Sequence, residues 1–64
     1  MRIAILTFDG FNEMDSFVAL SLLNRVKGWR AMICAPGETV TSMNGVMVTP
    51  GIGLDALPAM DIIL

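Results

Sequence analysis

Histidine is absent from this chain, and cysteine occurs once, at Cys34. No internal disulfide can form, and a structural zinc site lacks its usual ligands. Charge is sparse as well. Four Lys/Arg against six Asp/Glu in 64 residues give a net charge of −2, a balance that favours neither nucleic acid nor an anionic membrane surface. No apolar run approaches the ~20 residues of a membrane span. The run Ile3 to Leu6 is too short for the apolar core of a signal peptide, and Asp9 interrupts it. There is no Walker-type loop, no GxGxxG and no Cys/His cluster. Gly51-Ile52-Gly53 is too short for a phosphate loop and precedes no convincing helix. These absences lead to the expectation of a soluble, cytoplasmic protein with Cys34 as a reduced thiol, holding no metal and no cofactor.

What is abundant is apolar side chain, at 55% of residues. A domain of about 60 residues buries only about 60% of the surface of its unfolded chain. With no disulfide or metal to compensate, so apolar a composition predicts a part of something larger.

The chain is organised around Phe8-Asp9-Gly10-Phe11-Asn12-Glu13-Met14-Asp15. Arg2 to Thr7 before it reads as a strand buried on both faces, because its apolar run is continuous rather than alternating. Asp9-Gly10 supplies a turn, with Gly10 meeting a need for positive φ or close backbone approach. A helix follows. Asn12 is its N-cap, and Glu13 and Asp15 put negative charge in the first turn. Met14, Val18, Leu22 and Val26 recur at i, i+4, and Ala19 and Leu23 widen that stripe into a core-facing band. Phe17 and Leu20 fall outside it, either burying against a neighbouring element or forming a subunit contact. The helix is expected to end near Lys27, with Gly28 as the residue after its cap.

Trp29 to Ala35 reads as a second strand. Strand, helix and strand in this order form a βαβ unit, which predicts a parallel pair. Asn44-Gly45, flanked by Thr41-Ser42-Met43 and Val46-Met47-Val48, is a strong hairpin signal. Leu54 to Leu57 suggests a short helical turn, and Ile62-Ile63-Leu64 the start of a further buried strand. A polar turn between a first strand and a first helix lies where open α/β sheets place ligands, so Asp15 is the leading candidate for chemistry.

This order of features resembles the ThiJ/PfpI family of the class I glutamine-amidotransferase-like superfamily. The likeness rests on the hydrophobic first strand, the segment Phe8 to Asp15, the helix end Leu23-Asn24-Arg25, the hairpin Val40 to Val46, and Ala59-Met60-Asp61-Ile62-Ile63-Leu64. It covers essentially the whole chain, residues 1–64, as the N-terminal third of a single domain of ~200 residues. The resemblance implies a flavodoxin-like three-layer sandwich with a parallel central sheet. This chain would supply the first βαβ unit, a β-hairpin and the start of a further strand.

The family's reactive residue is a cysteine on a sharp strand-to-helix turn, which would lie beyond Leu64, and the carboxylate that reaches it matches Asp15. Held protonated, such a carboxyl donates a hydrogen bond to the thiolate and can pass or take a proton. The implied function is a cysteine-dependent hydrolase or hydratase acting on a small electrophilic substrate. The alternative is a non-enzymatic ligand-sensing or transcription-regulator module of the same fold. The implied partners are the remainder of the domain, a second copy in a homodimer and a small molecule, with no membrane and no direct nucleic-acid contact from this segment. On this reading the 64 residues alone are not an enzyme. The Gly-Pro pair that the isonitrile-hydratase-like branch carries after its acidic residue is replaced here by Ser16-Phe17-Val18, which argues against an isonitrile substrate. Cys34, on the second strand, is expected to be a buried structural thiol.

Overall fold

A computed structural model describes all 64 residues. The strands β1 (Arg2–Leu6) and β2 (Arg30–Cys34) flank the helix α1 (Glu13–Leu23). The short strands β3 (Val40–Thr41) and β4 (Met47–Val48), a six-residue 3₁₀ helix (Leu54–Ala59) and β5 (Ile62–Ile63) follow. The sheet has the order β2-β1-β5 and is parallel throughout, with Ile3 opposite both Ala31 and Ile62. The expected α/β architecture and parallel βαβ pairing are present.

The continuous apolar run of β1 follows from burial on both faces. Ile3, Ile5, Ala31 and Ile33 form the core beneath α1, against which Phe17, Ala19, Leu20 and Leu23 pack. Between these, Ala4 and Cys34 are also fully buried. Thr7 extends the line of β1, and both its N–H and its hydroxyl donate to the Cys34 carbonyl, at 2.8 and 2.9 Å.

Two expectations about α1 need correction. The helix does not run to Lys27. It stops at Leu23 with Asn24 as its cap, and a turn carries the chain to Gly28, whose φ is +82°. The cause is the Asn24 side chain, which accepts from Ala31 N–H at 2.7 Å and donates to the Ala31 carbonyl at 3.1 Å. An amide that binds a strand's main chain in this way acts as a substitute peptide group. It draws the helix end down onto the outer flank of β2. The core-facing stripe is also different. Met14, Val18 and Leu22 point outward, 71%, 52% and 55% exposed, while Phe17 and Leu20 join the expected Ala19 and Leu23 on the core side. Phe17 meets Phe11 edge-on, with ring centroids 6.2 Å apart, a favourable aromatic geometry.

The hairpin forms with Thr41 opposite Met47. Its connection is wider than the two residues Asn44-Gly45. Ser42 N–H donates to the Val46 carbonyl at 2.8 Å and the Ser42 hydroxyl accepts from Val46 N–H at 2.9 Å. Met43, Asn44 and Gly45 therefore form the loop, with Gly45 at φ +82°, the arrangement that three-residue hairpins adopt. The expected burial of the last strand is not met. Ile62, Ile63 and Leu64 are exposed, because α1 lies over β1 and β2 and leaves β5 uncovered.

Candidate functional site

Asp15 stands in the first turn of α1, immediately beyond the carboxyl end of β1. Its position follows from the turn before it. Phe8, Asp9 and Gly10 reverse the chain, with Gly10 at φ +90° and Gly10 N–H donating to the Thr41 carbonyl at 2.8 Å. Asn12 then caps the helix as expected. Its side-chain oxygen accepts from Met14 N–H at 3.0 Å and from Asp15 N–H at 3.4 Å. The reciprocal half of a capping box is absent, because the Asp15 carboxylate makes no hydrogen bond and projects into solvent.

The neighbouring carboxylates differ. Asp9 accepts from Thr41 N–H at 3.0 Å, and Glu13, half-buried, accepts from the Asn44 side-chain amide at 3.2 Å. Both fasten the hairpin to the turn, a role assisted by Met43 N–H donating to the Phe11 carbonyl at 2.8 Å. Asp61 accepts from Arg2 N–H at 2.7 Å and donates its own N–H to the Arg2 carbonyl at 2.8 Å. It locks the entry of β5 to β1. Among the carboxylates of these turns, Asp9 and Glu13 are engaged structurally and Asp15 is free. The structural duties of Asn24, Asp61 and the Glu13–Asn44 pair were not read from the sequence. A turn asparagine opposite a first-turn glutamate was the only available hint.

Cys34 does not meet Asp15. It is fully buried and its thiol donates to the Gly53 carbonyl at 3.4 Å. Burial pushes its pKa up, and the nearby Asp55 carboxylate pushes in the same direction. A nucleophilic cysteine needs the opposite environment, so Cys34 is a structural thiol, as the sequence predicts. A cavity of about 430 Å³ opens beyond the carboxyl ends of β1 and β2, lined by Phe8, Asp9, Pro36, Gly37, Thr39 and Val40. Asp15 does not line it. No group of three or more Cys, Asp or Glu side chains is arranged to hold a metal ion, and no helix is long and apolar enough to cross a membrane.

No protein-family model matches the chain, and no curated protein matches it. Among solved structures, it is similar to the crystal structure of a cysteine-to-alanine mutant of a DJ-1 superfamily protein from Salmonella typhimurium. The TM-score is 0.78 at 25% sequence identity, over 97% of this chain and 35% of that one. The chain thus spans about a third of the length of the structure it matches. The fold of the 64 residues is accordingly that of part of a DJ-1 superfamily domain, and the likeness to the ThiJ/PfpI family holds at that superfamily level.

Proposed function

We propose that these residues are the N-terminal part of a ThiJ/PfpI-like domain whose active site pairs Asp15 with a cysteine contributed from outside the 64 residues. The protein would be a cysteine-dependent hydrolase or hydratase acting on a small electrophilic substrate. The observation that supports this reading is the unengaged Asp15 carboxylate at the carboxyl end of β1, beside carboxylates that are committed to holding the fold. In the chemistry proposed, the thiolate electron pair forms a bond to the electrophilic carbon. Asp15 supplies a proton to the heteroatom that takes up the displaced electrons; water then bonds to the same carbon, gives its proton to Asp15, and the carbon–sulfur bond breaks to return the thiolate. The outward face of Met14, Val18 and Leu22 supports a homodimer contact as part of the same reading.

Asp15→Asn is the decisive substitution. It keeps the shape and leaves the Asn12 cap intact, but removes the transferable proton. Activity on activated esters and small dicarbonyls is expected to fall by about 10²–10⁴-fold, the usual contribution of a positioned acid or base. The pH profile for alkylation of the reactive cysteine should shift with it. Unchanged activity and an unchanged alkylation profile in the variant would remove Asp15 from the mechanism.

A further inference from the structure

The net charge of −2 conceals a strong separation of charge along the strands. All four basic side chains lie at the amino end of the sheet. Arg2 opens β1 and Arg30 opens β2, and the two are register partners. Arg25 and Lys27 occupy the turn that feeds β2. The Met1 ammonium joins them, donating to the Gly28 carbonyl at 2.7 Å, and Arg30 N–H donates to the Met1 carbonyl at 2.8 Å. The one carboxylate at this end, Asp61, is engaged by Arg2 N–H. The other acidic side chains, Asp9, Glu13, Asp15, Glu38 and Asp55, follow the carboxyl ends of the strands or adjoin Cys34. Set among the cations are two exposed apolar side chains, Val26 and Trp29.

We propose that the amino end of the sheet is a docking surface for an anionic lipid bilayer. Cations spread over three backbone segments at one end, with no cleft between them, suit a partner without a fixed shape. The chain's cavity lies at the opposite end. An indole exposed among lysine and arginine is suited to the headgroup layer, where its polar edge stays wet and its ring leaves water. The aliphatic stems of Arg25 and Lys27 extend the same contact. The attachment proposed is peripheral, and no helix of these residues is long and apolar enough to cross a membrane. Docked in this way, the carboxyl end and Asp15 face away from the lipid and remain open to solutes. Net charge alone gives no sign of such a surface, because an average over the chain says nothing of how its two ends differ.

Trp29, the one tryptophan of these 64 residues, sits within the proposed contact, and its emission reports on it. The protein is titrated with vesicles of phosphatidylcholine alone and of phosphatidylcholine mixed with phosphatidylserine. The expected result is a blue shift of tryptophan emission, with co-sedimentation, for the mixed vesicles only. Salt at about 1 M, where the Debye length is about 3 Å, should reverse both. Each cation near an anionic surface contributes about a fivefold change in partitioning, so Arg25→Glu with Lys27→Glu should weaken binding by at least about 25-fold. Both residues are exposed, and an unchanged far-ultraviolet spectrum verifies that the variant is folded. Equal binding to neutral vesicles, no binding to either, or preference for a DNA duplex or an acidic peptide over the mixed vesicles would each overturn the proposal.

Discussion

Replacing Asn24 by alanine removes the two hydrogen bonds that tie the end of α1 to Ala31. The helix cap itself survives, because the Asn24 main-chain N–H still donates to the Leu20 carbonyl at 3.2 Å. The loss is therefore confined to the outer edge of β2. A net contribution of about 1 kcal/mol per hydrogen bond sets the cost at about 2 kcal/mol. Asn24 is exposed, so water can enter the vacated site and satisfy part of what Ala31 loses. This holds the cost below the larger penalty of a sealed, unpaired group. Chemical denaturation should show the loss globally. Amide exchange at Ala31 should accelerate by about 30-fold if opening at that edge carries the full effect. Asn24→Asp sharpens the argument. Its carboxyl can still accept from Ala31 N–H, but once ionised it sets a bare oxygen against the Ala31 carbonyl. The folded state then favours the protonated acid, so the folded pKa lies above the unfolded one. The variant should be nearly as stable as the parent at low pH and lose stability as pH rises from the unfolded pKa through the folded one. A change under about 0.5 kcal/mol in Asn24→Ala, with Ala31 protection intact, would refute the view that this side chain closes the edge of β2.

Two further outcomes are expected. Asn12→Ala deprives Met14 and Asp15 of their shared acceptor and should cost about 1 kcal/mol, read as a lowered Tm, whereas Asn12→Ser should restore most of it. The Cys34 thiol, its pKa raised by burial and then by Asp55, should resist alkylation in the native protein at mildly alkaline pH and react promptly in denaturant. Because the folded pKa is the higher of the two, stability should begin to fall as pH rises past 9.0, the ordinary thiol value. Cys34→Ala should remove that component, and an unchanged alkaline profile in the variant would show the thiol is not responsible.

The βαβ order, the Asn12 cap, the Gly10 turn and the hairpin were legible in the sequence because each depends on neighbours close along the chain. The facing of α1 was not. The helix is apolar almost all round, and periodicity alone could not choose between Met14-Val18-Leu22 and Phe17-Leu20 as the partners of the core-facing Ala19 and Leu23. The true inner face begins with Glu13 and Ser16, both half-buried, and two polar residues at its head make it look like the solvent side. Glu13 is tolerated there because Asn44 meets it from the hairpin, a contact no local pattern encodes. The same holds for Asn24, which reads as a helix terminator and turns out to serve a strand. Asp15 was legible by its place after the turn. That it alone among the carboxylates of those turns is unbonded emerged only with the fold.

The two flanks of the sheet are not equivalent. Along β2, Asn24 occupies the main-chain groups of Ala31, and the Gly51-Ile52 segment occupies those of Ile33 and Ala35. Within these 64 residues the far side of β5 is open. On the reading proposed above, the remainder of the domain continues the sheet from that side, so strands are added in one direction only. Growth into a ribbon or fibre needs two open flanks per molecule. The side chain of Asn24 and the loop after β4 therefore make the β2 side a terminus of the sheet, from which edge-to-edge growth cannot start.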